Sequence, residues 1–298
     1  MITVDQVSKR YDGRLVVDDL SFSVQAGRVT GFVGPNGAGK SSTMRMMVGL
    51  SAPDSGSVTY NGIPFSHLSH PATVVGAALD PRCMHPGRSA RQHLRSMAAL
   101  GGIPVERAEA VLALVGLESV PLQRVGGFSL GMRQRLALAG ALLGNPAALI
   151  LDEPANGLDP DGMRWLRGFL REFADGGGAV LVSSHLIAEL GLFVDDLVVL
   201  GSGRLIVAAP VDEILGHAPS SVVVSTPHPA DLLHLLQQHG LKATLDDGRI
   251  QVPGATRQHI AGLAFDHQVQ LDELTEVRPS LEDTLLRLTT PTAQFTAS

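Results

Sequence analysis

The sequence has little cysteine, no excess of positive charge and no long hydrophobic run. Cys83 is the single cysteine among 298 residues. No disulfide can therefore form within the chain, and the composition fits a reducing compartment. Lys and Arg number 23 against 29 Asp and Glu, for a formal net charge of −6. That balance argues against binding nucleic acid or an anionic membrane through bulk charge, though it leaves room for a local basic site. The N-terminal stretch MITVDQVSKRY carries no apolar signal core. The nearest approach to a membrane span is LALAGALLGNPAALIL (136–151), which Gly144-Asn145-Pro146 splits into a helix and a short buried strand. The chain is expected to be soluble by itself, so a role at a membrane needs a partner. Internal repeats, coiled-coil heptads and low-complexity segments are also missing.

Apolar residues make up 44 % of the chain, enough for a sizeable core. The length suits one large domain plus a small one. Residues 2–33 read as strands, with Leu20, Phe22 and Val24 alternating with polar neighbours and VTGFV (29–33) as a short apolar run. A glycine-rich turn and a helix from about Lys40 to Leu50 follow. SVTY and VVGAAL read as further strands, and 89–143 as mostly helical. From 147 strands and helices alternate again through AALIL, RWLRGFLREF, AVLVS, LIAEL, LVVL and RLIVA. This pattern predicts an α/β core with a helical insertion over about 84–145. HAPSS, near 217, reads as a linker to a small α/β domain over 221–288. That domain is expected to hold a helix in PADLLHLLQQHG, strands around RIQV and VQLDEL, and a closing helix in SLEDTLLRL. Residues 289–298 read as a flexible tail.

Three short stretches carry chemistry. GPNGAGKS (34–41) matches G-x-x-x-x-G-K-[ST] between an apolar strand and a helix. Gly34, Gly37 and Gly39 let backbone N–H groups approach phosphate oxygens, Lys40 would bridge the outer phosphates, and the Ser41 hydroxyl would ligate Mg²⁺. Pro35, Asn36, Ala38 and Ser42 complete the candidate cradle. LILDEP (149–154) places Asp152 and Glu153 at the end of a buried strand, the edge where ligands of open α/β sheets collect. Asp152 can hold Mg²⁺, and Glu153 can accept a proton from an attacking water. The two stretches together imply nucleoside triphosphate hydrolysis. A guanine-reading N-K-x-D is absent. FSLGMRQRL (128–136) reads as a helix start capped by Ser129. Arg133 and Arg135 sit in its first turns, where cations are mildly unfavourable unless an anion is near.

The order of these motifs resembles the ATP-binding subunit of ABC transporters, over residues 1 to about 216. The resemblance implies a P-loop ATPase fold of the ABC type. GPNGAGKS and LILDEP look like the Walker A and Walker B motifs, FSLGM (128–132) like the signature motif, NGLDP (156–160) like the D-loop, and SSH (183–185) like the switch histidine. By resemblance, Tyr11 stacks on adenine, His185 donates to the γ-phosphate, and Ser129 and Gly131 face the γ-phosphate held by a second copy. Asp159 caps a helix and lines that subunit interface. The family's usual signature is L-S-G-G-Q, and this sequence keeps its serine and second glycine. Asp80 stands where the family has a glutamine that touches the metal site and senses the transmembrane partner. The expectation is that Asp80 keeps the coupling role, with altered metal dependence as a Mg²⁺ ligand. The other reading is a turn former before Pro81. The resemblance further implies ATP and Mg²⁺ as cofactors, a homodimer, a separate transmembrane permease, and a cytoplasmic position on the inner face of the cell membrane. The single nucleotide domain and small C-terminal domain resemble exporter subunits. A soluble ATPase of the same type acting on nucleic acid or ribosomes is the alternative, but such proteins usually carry two nucleotide domains or a long coiled coil. A non-hydrolysing regulatory domain is a third reading, and the intact Glu153 speaks against it.

Overall fold

The computed structural model describes residues 1–184, 190–216, 221–246, 248–277, 281 and 284. Two compact units divide the chain, one running from residue 1 to 211 and the other from 212 to 288.

The first unit opens with β1 (Ile2–Tyr11) and β2 (Arg14–Val24), then β3 (Val29–Val33) and α1 (Lys40–Met47). Next come β4 (Ser55–Tyr60), β5 (Ile63–Pro64), the single turn α2 (Pro71–Val74) and β6 (Val75–Ala78). Three helices stand between β6 and the next strand: α3 (Ala90–Leu100), α4 (Arg107–Leu114) and α5 (Leu130–Leu142). The series then runs β7 (Ala148–Leu151), α6 (Pro160–Asp175), β8 (Ala179–Ser183), β9 (Asp196–Gly201) and β10 (Arg204–Pro210), and the short α7 (Val211–Gly216) starts at the last residue of this unit and lies otherwise in the second.

The central sheet has the order β10-β9-β3-β8-β7-β6. All its neighbours pair in parallel except β10, which runs antiparallel to β9. A second, antiparallel sheet has the order β2-β1-β4-β5. Every residue of β3, β7 and β8 is buried. That explains why these strands read as continuous apolar runs, since a parallel sheet is covered on both faces. Helix α6 forms because Leu166, Leu170 and Ala174 recur at four-residue spacing and are all buried, behind an Asp159 cap and Pro160 at the first position. Leu170 has no exposed surface; truncating it to Ala would cost about 3 kcal/mol. The loops after β3 and β7 leave the same edge of the sheet, and this brings 34–41 beside 152–153. Among the described residues no helix is long and apolar enough to cross a membrane.

The second unit contains β11 (Ser221–Ser225), α8 (Pro229–Gln238), β12 (Thr244–Asp246), β13 (Arg249–Pro253), α9 (Arg257–Asp266) and β14 (Glu273–Val277). Its sheet order is β12-β13-β11-β14, antiparallel throughout. Order and direction match the split βαβ arrangement of ferredoxin-like domains. Val222, Val224, Leu232, Leu236, Ile250, Val252 and Ile260 make its core. The strand predicted across VQLDEL forms only from Glu273. Val269 N instead donates to Ala264 O and closes α9, so the first half of that stretch is a helix stop. The predicted helix in LIAEL, most of HAPSS and SLEDTLLRL, and the tail lie outside the described residues.

Candidate active site

The 34–41 loop is pressed against its neighbours at Gly34 and Gly39, and this is why glycine is needed at those two positions. A Cβ on Gly39 would lie 2.8 Å from Val16 O, and Gly39 takes a left-handed φ of 98° as it caps α1. Lys40 opens α1, and its Nζ turns back to donate to Gly34 O (2.7 Å) and Pro35 O (3.3 Å). Burial pushes the Lys40 ammonium below its ordinary pKa, while Glu153 and Asp152 pull the other way. Lys40 is thus a desolvated cation held by exchangeable carbonyls.

A chain of short hydrogen bonds links this loop to the acid pair. Ser41 Oγ donates to Asp152 Oδ2 at 2.6 Å, and Ser183 Oγ donates to Asp152 Oδ1 at 2.6 Å. Ser183 Oγ in turn accepts from Glu153 N at 2.8 Å. Glu153 has φ of 52°, the left-handed region that non-glycine residues rarely occupy, at a cost of about 1 kcal/mol. Its carbonyl accepts from Gln134 Nε2 at 3.1 Å. The backbone on both sides of the Glu153 Cα is therefore fixed by side chains from β8 and α5. Sequence reasoning missed both anchors. Ser183 ends an otherwise apolar strand, and Gln134 is a buried polar residue in a mostly apolar helix, which is the signal that was available.

These groups face a cleft of about 540 Å³. Residues 36–42, Asp80, Asp152 and Glu153 are all in its wall. Gly34, Pro35, Tyr11, Ser129, Gly131 and Asp159 are not. Tyr11 ends β1 with its hydroxyl 3.2 Å from Ser51 Oγ and Lys9 Nζ 5.5 Å from its ring centre. His185 lies outside the described residues. Asp80 is tied to Arg82: Oδ1 accepts from Arg82 N (2.9 Å) and Nε (3.0 Å), and Oδ2 from a terminal guanidinium nitrogen (3.1 Å). Those bonds hold its carboxyl below the usual range. Asp80 both forms the predicted turn and carries a counter-ion.

Ser129 caps α5, its Oγ accepting from Met132 N at 3.2 Å, and Asp159 Oδ1 caps α6 by accepting from Gly162 N at 2.8 Å. The two arginines of the α5 start find neutral partners rather than an anion. Arg133 donates to Gly126 O at 3.3 Å. Arg135 donates to Val115 O at 2.9 Å and lies 4.4 Å from the centre of the Trp165 ring.

Residues 17–156 match the family model described as ABC transporter, and 220–282 match one described as a domain of unknown function. The chain is 34 % identical over 297 residues to YhcH, an uncharacterized ABC transporter ATP-binding protein of Bacillus subtilis (strain 168), covering 99 % of this chain and 97 % of that protein. The chain belongs to the ATP-binding subunits of ABC transporters. As such a subunit it is an ATPase, and the hydrolysis of ATP powers transport. Another relative is the Nod factor export ATP-binding protein I of Burkholderia thailandensis, 34 % identical over 303 residues, with 97 % of this chain and 96 % of that one covered. A solved structure of an ATP binding subunit of an ABC transporter is similar at a TM-score of 0.66 and 28 % identity, over 72 % of this chain and 91 % of that one. These relatives favour the transport reading over an ATPase acting on nucleic acid or ribosomes. In this ABC transporter subunit, the cleft of 36–42 and 152–153 is the candidate ATP site.

Proposed function

We propose that this chain is the motor subunit of an exporter. Two copies close around ATP and drive a separate transmembrane permease, with the subunit held on the inner face of the cell membrane through that permease. The exporter assignment is supported by the Nod factor export relative. The observation that carries the catalytic reading is the run of bonds from Ser41 through Asp152 and Ser183 to Glu153 N.

In this reading Glu153 takes a proton from the attacking water. The water oxygen bonds to the γ-phosphorus as the bond to the bridging oxygen of the departing ADP breaks. Lys40 exchanges its loop carbonyls for phosphate oxygens. The loop backbone around Gly34, Gly37 and Gly39 cradles the phosphates, and Tyr11 stacks on the adenine. His185 is assigned a γ-phosphate contact from the family resemblance. The donor set fits Mg²⁺, because the Ser41 hydroxyl and Asp152 carboxylate are hard oxygen ligands already 2.6 Å apart. Bound there with the phosphates, Mg²⁺ supplies charge neutralisation. Asp80, committed to Arg82 through both oxygens, is a weaker metal donor than Asp152. Ser129 and Gly131 complete the site of the second copy at the positive end of α5, and Asp159 lines the interface between the two.

Glu153→Gln tests this reading. The variant should bind ATP, accumulate as an ATP-bound dimer in size-exclusion chromatography with light scattering, and fail to turn over. Hydrolysis at the parental rate would remove Glu153 as the base. Ser129→Arg should abolish hydrolysis while leaving ATP binding to the monomer intact; loss of binding as well would count against a role in the second copy's site.

A further inference from the structure

We propose that Gln134 is a positioning residue that transmits the placement of the α5 start to the general base of its own chain. The proposal rests on Glu153 being that base. Three contacts join the first turns of α5 to the 153–158 segment. Gln134 Nε2 donates to Glu153 O at 3.1 Å. A Cβ on Gly131 would lie 2.8 Å from Gly157 O, and one on Gly157, at φ 78°, would lie 2.5 Å from Leu130 Cδ2. Two glycines are thus spent on letting helix and loop touch. The packing leaves no room for α5 to shift without carrying the loop along.

Gln134 gives this packing a direction. It is a buried amide, 7 % exposed, on the helix whose N-terminus bears Ser129. Its bond lands on the carbonyl of the residue with left-handed φ. On the other side of that Cα, the N–H is fixed to Ser183 Oγ, which also holds Asp152. The Glu153 backbone is therefore clamped between the metal-side acid and the signature helix. A displacement of α5 rotates the 153–154 peptide about a fixed N–H. That moves the Glu153 carboxylate relative to the attacking water, and geometry of this kind is worth tenfold or more in rate for small misplacements. Engagement of Ser129 in one site is thereby read by the base of the other.

Gln134→Met keeps the volume and removes the donor, and Gln134→Glu keeps volume and polarity while lacking the N–H at neutral pH. Both are measured as the purified subunit with MgATP. The expected result is a fall in kcat of about tenfold in both, with KM for ATP within about twofold in Gln134→Met, because only an interaction needed in the transition state is lost; Gln134 also lines the cleft, so the new carboxylate of Gln134→Glu is read by kcat alone. In the Glu153→Gln background, Gln134→Met should still form the ATP-bound dimer. A merely structural residue would instead move KM and dimer formation with the unfolding midpoint. Parental kcat in both variants, or kcat and KM changing in proportion, overturns the proposal. If the Met variant fails to reach the parental fold by circular dichroism, the Glu variant decides alone. Parental turnover in Glu153→Gln by itself would bring down the reading of the base, and the Gln134 proposal with it.

Discussion

The two ends of the central sheet use the same kinds of side chain in opposite ways. At the end where β3 and β9 begin, charges meet charges. Arg171 binds both oxygens of Asp195 (3.0 and 2.8 Å), Asp195 also accepts from Val29 N at 2.8 Å, and Arg28 is paired with Asp196. At the end where β3, β7 and β8 finish, Lys40 is held by two carbonyls and Asp152 by two hydroxyls. One end is a closed set of ion pairs. At the other, neutral groups hold Lys40 and Asp152, and an arriving phosphate or cation can replace them at little cost. The difference teaches where to look for chemistry in an α/β sheet: at ionised groups with neutral partners.

Exchanging the two ends' behaviour by mutation tests that comparison. The largest effect is expected from Lys40→Ala. Hydrolysis should be lost and ATP binding weakened at least about tenfold, since a desolvated charge-assisted contact is worth upwards of about 1.4 kcal/mol. The unfolding midpoint should stay near the parental value; a large drop would mean that Lys40 is structural. Arg171→Ala should do the converse. It takes from Asp195 its paired guanidinium and is expected to cost about 1–3 kcal/mol of stability in denaturant unfolding, with KM for ATP unchanged. A smaller effect concerns acid. Burial works to raise the Asp195 carboxyl, but the Val29 N–H and Arg171 outweigh it and hold it below its ordinary value. A carboxylate depressed in the fold contributes stability that is present above its unfolded pKa, about 3.9, and lost as pH falls through the folded value. Asp195→Asn should therefore flatten the acid limb of a stability–pH curve below about pH 4. An unaltered limb would show that Asp195 is not the titrating group.

The smallest effect is predicted at the cleft's own ion pair. Arg82→Ala takes the guanidinium away from the Asp80 carboxylate in the wall of the candidate ATP cleft and should raise KM for ATP about threefold, the scale of an exposed charge pair. Adding Asp80→Asn should restore it, and failure of the double variant to recover would mean that Arg82 acts on the nucleotide directly.

What was legible in the sequence was what is local. The 34–41 loop, Asp152-Glu153 and the caps Ser129 and Asp159 each depend on a strand or helix boundary within a few residues, so spacing and residue type suffice. Contacts between distant segments were not legible. Ser183 meets Asp152 across neighbouring strands, and Gln134 meets Glu153 between a helix and a loop; neither has a periodicity to betray it. Gly131 reads from its motif as an approach point for phosphate, yet within its own chain it is also the room that Gly157 O requires. In the second unit, helix and strand alternation was visible. The antiparallel direction of the sheet was not, because the pattern of apolar residues does not encode which strand lies between β11 and β12.

Cys83 adds a practical consequence. It is the one cysteine of the chain, it is exposed, and its N–H donates to Asp80 O at 3.3 Å. It also lines a smaller hollow of about 250 Å³ together with Asp80, Met84 and His93. Maleimide chemistry would therefore place a spin label or fluorophore at a single position, with no cysteine to add and none to remove. The chain comes with its own reporter group, a lone thiol in the wall of that hollow.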